Sequence, residues 1–156
     1  MNDILYHTKF LDLKKTQTKS GNDWYYAHRP NANDVVIILP IYNDEILFLI
    51  EERPPIQAEC KGKYTIGLAA GLVGDERIGE SIEDAIKAEL LEETGLVAEK
   101  IVIKSKKVAS SAGCVSETCT LAIAYINNKK EIQKIGYKNY LNNGILLIVL
   151  GIMYFF

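Results

Sequence analysis

The chain opens in short runs of alternating and β-branched residues, passes through one helical period, and then returns to strand-like runs. Residues 4–28 predict strands with a turn at "KSGND", where Gly21 and Asn22 supply backbone freedom. "DVVIILP" (34–40) is a continuous β-branched run and predicts a strand buried on both faces. "YND" then turns the chain into "EILFLIEER", a hairpin, and Pro54 and Pro55 end that strand before a polar loop to Lys63. "YTIGLAAGLVGDERIGES" reads as a strand entering a glycine-punctuated loop. After the helical segment, "KIVIKSKKVAS" and "TCTLAIAYI" are strand-like and are joined by the loop "SAGCVSE". Strands on both sides of one strong helix predict an α/β protein with a mixed sheet.

The helix is predicted over Ile82–Thr94. Ser81 suits the N-cap, with Asp84 returning the bond as a shortened capping box, and Gly95 suits the left-handed position after the last turn. Its acidic residues raise a physical problem. With Glu89 placed at 0°, Glu92 falls at about −60° and Glu93 at about +40°, so the three share one arc. That arc continues the apolar stripe of Ile82, Ala85 and Ile86. Carboxylates near a helix C-terminus oppose the dipole by ~0.3–1 kcal/mol each, and like charges four apart add a few tenths more. A solvated acidic face is one reading. Oxygen ligands for a hard divalent cation such as Mg²⁺ explain the arrangement better, because the ion reverses the repulsion.

Reading outward from these glutamates, "GDERIGESIEDAIKAELLEETGL" resembles the Nudix box of the Nudix hydrolases. Gly74 and Glu80 take its first two fixed places, and Glu89, Leu90, Glu92, Glu93, Gly95 and Leu96 its last. "WYYAHRP", "DVVIILP", "LFLIEERPP", "AAGLVGD" and "SSAGCVSE" resemble, in order, the ADP-ribose pyrophosphatase branch. The resemblance implies an α/β/α sandwich around a mixed sheet, preceded by N-terminal antiparallel strands. The activity it implies is Mg²⁺-dependent (or Mn²⁺-dependent) hydrolysis of ADP-ribose or a related nucleoside diphosphate sugar. Glu89 and Glu93 become the principal metal ligands, the Ala70 carbonyl a further one, and Glu92 a ligand or the group assisting the attacking water. Gly71 and Gly74 let the loop fold back on the helix. Arg29 and Arg53 become candidates for phosphate, and Gly113 and Glu117 for the ribose and terminal sugar. Trp24, Tyr25 and Tyr26 are open to three roles: stacking on adenine, core, or dimer interface. A homodimer by strand exchange follows from the family alone.

Two departures stand out. Ala88 occupies the place of the box arginine, and Lys87 lies 100° around the helix from that place. The segment from Gly71 to Glu80 is about three residues longer than usual, so either Gly71 or Gly74 fills the role of the first box glycine. Ala88 and the short C-terminus favour a nucleotide-binding relative impaired in turnover as an alternative. A second, a pyrophosphatase that sanitises nucleoside triphosphates, is disfavoured by "AAGLVGD" and the long N-terminal strand region.

Composition narrows the class further. At 156 residues the chain has room for one domain, expected over 1–156 as an N-terminal strand region (1–33), a catalytic core (34–127) and an atypical C-terminal part (128–156). In that last part Glu131 is the one acidic residue available to the loop that carries a further base or ligand in the family. From Ile145 to Phe156 the tail is almost wholly apolar, yet short of the ~20 residues that span a bilayer. It reads as a buried strand or helix, as a tail anchor, or as out-of-frame translation of AT-rich sequence. A net charge of −2 gives no bulk attraction to nucleic acid or to an anionic membrane. Three cysteines, with no paired CxxC and no secretory leader, predict reduced thiols buried as small hydrophobes in a cytoplasmic protein.

Overall fold

The computed structural model describes residues 3–32, 34–42, 45–60, 64–74 and 79–126, and the backbone of 146–151. The N-terminal residues form β1 (Asp3–His7), β2 (Asp12–Gln17) and β3 (Asp23–His28), an antiparallel sheet in the order β1-β2-β3. Its second turn is the predicted one. Gly21 takes φ +85°, its N–H donates to the Thr18 carbonyl at 3.0 Å, and the Thr18 N–H donates to the Asn22 carbonyl at 2.8 Å. Asp12 is buried in this sheet, with its carboxylate 2.6 Å from His7 Nδ1 and 3.9 Å from Lys14 Nζ.

The core elements follow as β4 (Val35–Tyr42), β5 (Glu45–Glu51), α1 (Pro54–Cys60), β6 (Thr65–Gly67), β7 (Ala69–Leu72), α2 (Ile82–Thr94), β8 (Ala98–Ala109), β9 (Thr118–Ile126) and β10 (Leu146–Gly151). They build a mixed sheet in the order β10-β5-β4-β9-β8, with β6 paired to β5 and β7 to β4. β4 runs parallel to β9 and antiparallel to β5 and β7. The expected α/β fold with a mixed sheet and N-terminal antiparallel strands is therefore present. Val36, Ile38, Leu47, Leu49, Ala122 and Ala124 supply the sheet's side of the core, and Ala85, Ile86 and Leu90 supply that of α2. Each fully buried Leu or Ile there is worth roughly 1.5–3 kcal/mol relative to exposure.

Several expectations need correction. β4 is not buried on both faces: Val36, Ile38 and Pro40 are buried, whereas Val35, Ile37 and Leu39 are only partly so. Its β-branched run reflects its central place between β9 and its antiparallel partners more than two covered faces. The segment after Arg53 is not a loop throughout, because α1 starts at Pro54. Proline at the first helical position loses only an N–H that would have no partner in the helix, and its fixed φ already suits the helix. Two of the three cysteines are exposed: Cys60 ends α1, which buries no residue, and Cys114 lies on the β8–β9 loop. Only Cys119 packs as a buried hydrophobe.

Of the readings offered for the apolar tail, a strand is what forms at Leu146–Gly151, paired antiparallel with β5. Glu131 and residues 152–156 lie outside the described residues. Among the described residues, no helix is long and apolar enough to cross a membrane.

Candidate active site

Helix α2 has the predicted bounds because its signals are local. Ser81 sits at φ −78°, ψ 156°, and its Oγ accepts the Asp84 N–H at 3.1 Å. The capping box closes differently from expectation. The Ser81 hydroxyl donates to Asp84 Oδ2 at 2.7 Å, so the two side chains bond each other. Gly95 takes φ 70° and its N–H donates to the Leu91 carbonyl at 2.8 Å. No basic residue occupies the last turn to offset the helix's negative end.

What the glutamates meet is the backbone of β7. A methyl group built on Gly71 would overlap the Glu89 carboxylate, so that carboxylate rests against a strand that only glycine leaves open. Glu93 Oε2 accepts the Ala70 N–H at 3.0 Å. In an extended strand a residue's N–H and C=O leave on the same side, so the Ala70 carbonyl also faces away from β4. Burial pushes the Glu93 carboxyl up to about 7. The Ala70 N–H and Arg53 oppose the rise, whereas Glu89 and Glu51 add to it. Glu92 is exposed. It lies about 130° from the middle of the arc that Ile86, Leu90 and Glu93 define, so the helix turn that buries Glu93 leaves it outside.

The box's departures have clear positions. Ala88 is half-buried, and Lys87 points elsewhere, paired with Glu83 at 2.8 Å on an exposed face. The two glycines divide the role the sequence left open between them. Gly71 gives the close approach to Glu89. Gly74, at φ +83°, donates its N–H to Glu80 Oε1 at 3.0 Å and so closes the loop ahead of the helix. Residues 75–78 of this loop lie outside the described residues.

The candidates for substrate separate into two groups. Arg53, at the end of β5, pairs with Glu51 at 2.7 Å, close enough to Glu93 to act on its charge. Arg29 pairs instead with Glu117 at 2.6 Å. These two, with His28, Asp34, Ser116 and Thr118, line a cavity of about 190 Å³ at the start of β4. There Val35 pairs with Leu72, two residues along β7 from Ala70. Asp34 is buried at its base and accepts the Thr120 hydroxyl at 2.8 Å and the Thr118 hydroxyl at 3.3 Å, with Lys107 Nζ 3.7 Å away. Gly113 lies on the same loop as Glu117, and its carbonyl accepts the Trp24 indole N–H at 3.1 Å. Trp24 and Tyr25 are exposed and Tyr26 partly so, and none belongs to the core. Sequence reasoning missed Asp34, Thr118 and Thr120, because a lone aspartate before a strand gives no motif.

The donors at α2 and β7 fit a hard cation. Glu89 and Glu93 present crowded carboxylates whose mutual repulsion a divalent ion relieves, and the Ala70 carbonyl adds a neutral oxygen. Among the described residues, no three Asp, Glu, His or Cys side chains converge into a complete cage. Mg²⁺, which keeps several waters, does not require one.

No family model matches the chain. A putative nudix hydrolase 2 of Caenorhabditis elegans is 26% identical over 135 residues, covering 80% of this chain. The chain spans 58% of that relative's length. Among solved structures, a crystal structure of an ADP compounds hydrolase superposes with TM-score 0.67 at 17% identity, covering 97% of this chain and 76% of that one. That likeness shows the fold. The chain is thus similar in sequence to a Nudix hydrolase and shares its fold with an ADP compounds hydrolase.

Proposed function

We propose that the chain hydrolyses the pyrophosphate bond of ADP-ribose or a related nucleoside diphosphate sugar, with Mg²⁺, to a nucleoside monophosphate and a sugar phosphate. The observation that carries this reading is the seating of Glu89 and Glu93 against the Ala70–Gly71 backbone. Such a pair of part-buried carboxylates costs stability unless a cation joins it. The "ADP compounds" of the structural neighbour's description support the substrate class.

Glu89, Glu93 and the Ala70 carbonyl would hold Mg²⁺, and Mn²⁺ would replace it. When bound, the ion neutralises the diphosphate and lowers the pKa of water bound to it. Glu92, exposed beside this pair, is positioned to accept a proton from the attacking water or to complete the ligand set. Arg53 and Arg29 supply forked donors for phosphate oxygens once released from Glu51 and Glu117. Glu117, freed in the same exchange, would accept sugar hydroxyls beside Gly113. The exposed apolar side chains of β1–β3 support a homodimer through that sheet.

A metal-dependent turnover screen over nucleoside diphosphate sugars and nucleoside triphosphates, run beside Glu93→Gln, tests the reading. AMP release from ADP-ribose with Mg²⁺, lost in Glu93→Gln, is the expected result. Preference for triphosphates would select the sanitising alternative. One observation favours the impaired relative: Ala88 stands at the place of the box arginine, and the neighbouring Lys87 is paired with Glu83. Tight ADP-ribose binding in calorimetry without product would establish it.

A further inference from the structure

Trp24 meets the β8–β9 loop through one specific bond. Its indole Nε1–H donates to the Gly113 carbonyl, 89 positions away in sequence. The rest of β3 runs along the same loop. The Ala27 N–H donates to the Cys114 carbonyl at 2.8 Å, the Ser116 N–H donates to the Ala27 carbonyl at 3.0 Å, and His28 Nδ1 lies 2.9 Å from Ser116 Oγ. Arg29 then reaches Glu117. The loop also binds itself, with the N–H groups of Cys114 and Val115 both donating to the Ser111 carbonyl. These anchors hold its middle and its return. The crest at Gly113 is exposed and has open space around its Cα, so Trp24 is what fixes it from outside.

We propose that Trp24 is a positioning residue: its indole N–H, rather than its ring face, sets where the loop at 110–117 stands, and through it Glu117 and the cavity shared with Arg29. The ring face is part-exposed, so stacking on a ligand is sterically open and has to be separated from positioning by experiment. The kinetic readout rests on the pyrophosphohydrolase reading, whereas the structural readout does not.

Trp24 is the chain's one tryptophan, so biosynthetic replacement of tryptophan by benzothienylalanine changes this residue alone. The sulfur isostere keeps the fused-ring shape and stacking face and removes the N–H. In the full chain, amide hydrogen exchange across 110–117 is expected to accelerate while the thermal midpoint stays near that of the unmodified protein. KM for ADP-ribose is expected to rise about 3- to 10-fold with kcat within about twofold, the range spanned by one neutral hydrogen bond. Unchanged exchange and KM in the isostere, with KM raised only by Trp24→Leu, would assign Trp24 to stacking and overturn the proposal. Faster exchange with unaltered KM would also overturn it, leaving a role in structure alone. If the unmodified protein turns over no nucleotide, the activity reading fails, and the exchange comparison decides the positioning role.

Discussion

The α2–β7 junction and the N-terminal sheet handle polar and apolar surface in opposite ways. At the junction, charge is drawn inward and given backbone partners, with Glu93 on the Ala70 N–H, Glu80 on the Gly74 N–H and Glu89 against the bare Gly71. In the sheet, apolar surface is turned outward: Ile4, Leu5, Tyr6, Leu13, Trp24 and Tyr25 are all exposed, while the carboxylate of Asp12 is buried. The first region places carboxylates where burial and mutual repulsion disfavour their charge. The second withholds burial that another surface can supply. Under the proposed function, the first region would take an ion and the second would meet a second copy of the chain.

The sharpest way to break the comparison is at Gly71. Gly71→Ala drives a methyl into the Glu89 carboxylate, and turnover is expected to fall by at least about 100-fold, the scale on which ~1 Å displacements act in active sites. Kinetics with a circular dichroism control check this, and near-normal activity would sink the proposed role of Glu89.

Next in size is Asp34→Ala, which strands the hydroxyls of Thr118 and Thr120 in a buried place and should cost about 1–3 kcal/mol in urea melts.

Glu93 gives a pH signature. Its folded pKa of about 7 lies above its ordinary 4.5, so the folded state holds the proton more tightly than the unfolded one. The stability this proton brings is complete at low pH and is lost as pH rises from 4.5 through 7. In metal-free buffer the loss should be on the order of 1 kcal/mol after solvent screening, and Glu93→Gln should flatten it. Added Mg²⁺ should raise the melting temperature of the parent more at pH 8 than at pH 6. An equal rise at both values would contradict this.

On the other side of the comparison, Leu13→Lys should shift sedimentation from dimer to monomer and leave Mg²⁺ binding intact. Coupled loss of both would show that the two regions are not separate.

Smallest of all, Lys87→Ala should change neither turnover nor midpoint measurably, because its exposed pair with Glu83 replaces nothing at the site.

The same contrast governs what the sequence revealed. Helix α2 was legible to the residue because caps, glutamates and Gly95 lie within one local stretch. The choice between Gly71 and Gly74 was not legible, since it depends on where β7 passes the helix, which no spacing encodes. Helix α1 was hidden behind Pro54 and Pro55, whose breaker reading holds inside a helix but not at its first turn. The pairing of Arg29 with Glu117, two candidates read separately as substrate ligands, needed the crossing of β3 over a loop 88 positions away. The bond from Trp24 to Gly113 needed the same crossing, and the aromatic run suggested only stacking or burial.

The outer strand β8 has a consequence for solubility. It closes one margin of the main sheet, its pairing with β9 slips at three places between Ala98 and Val108, and Lys107 adopts a left-handed φ of 57°. Lys100, Lys104, Lys106 and Lys107 are exposed along it. A foreign strand arriving there meets an irregular row of hydrogen-bonding groups and a line of ammonium charges, both of which oppose cross-β growth. The margin that would otherwise seed aggregation is thereby blunted, and self-association is steered away from β8.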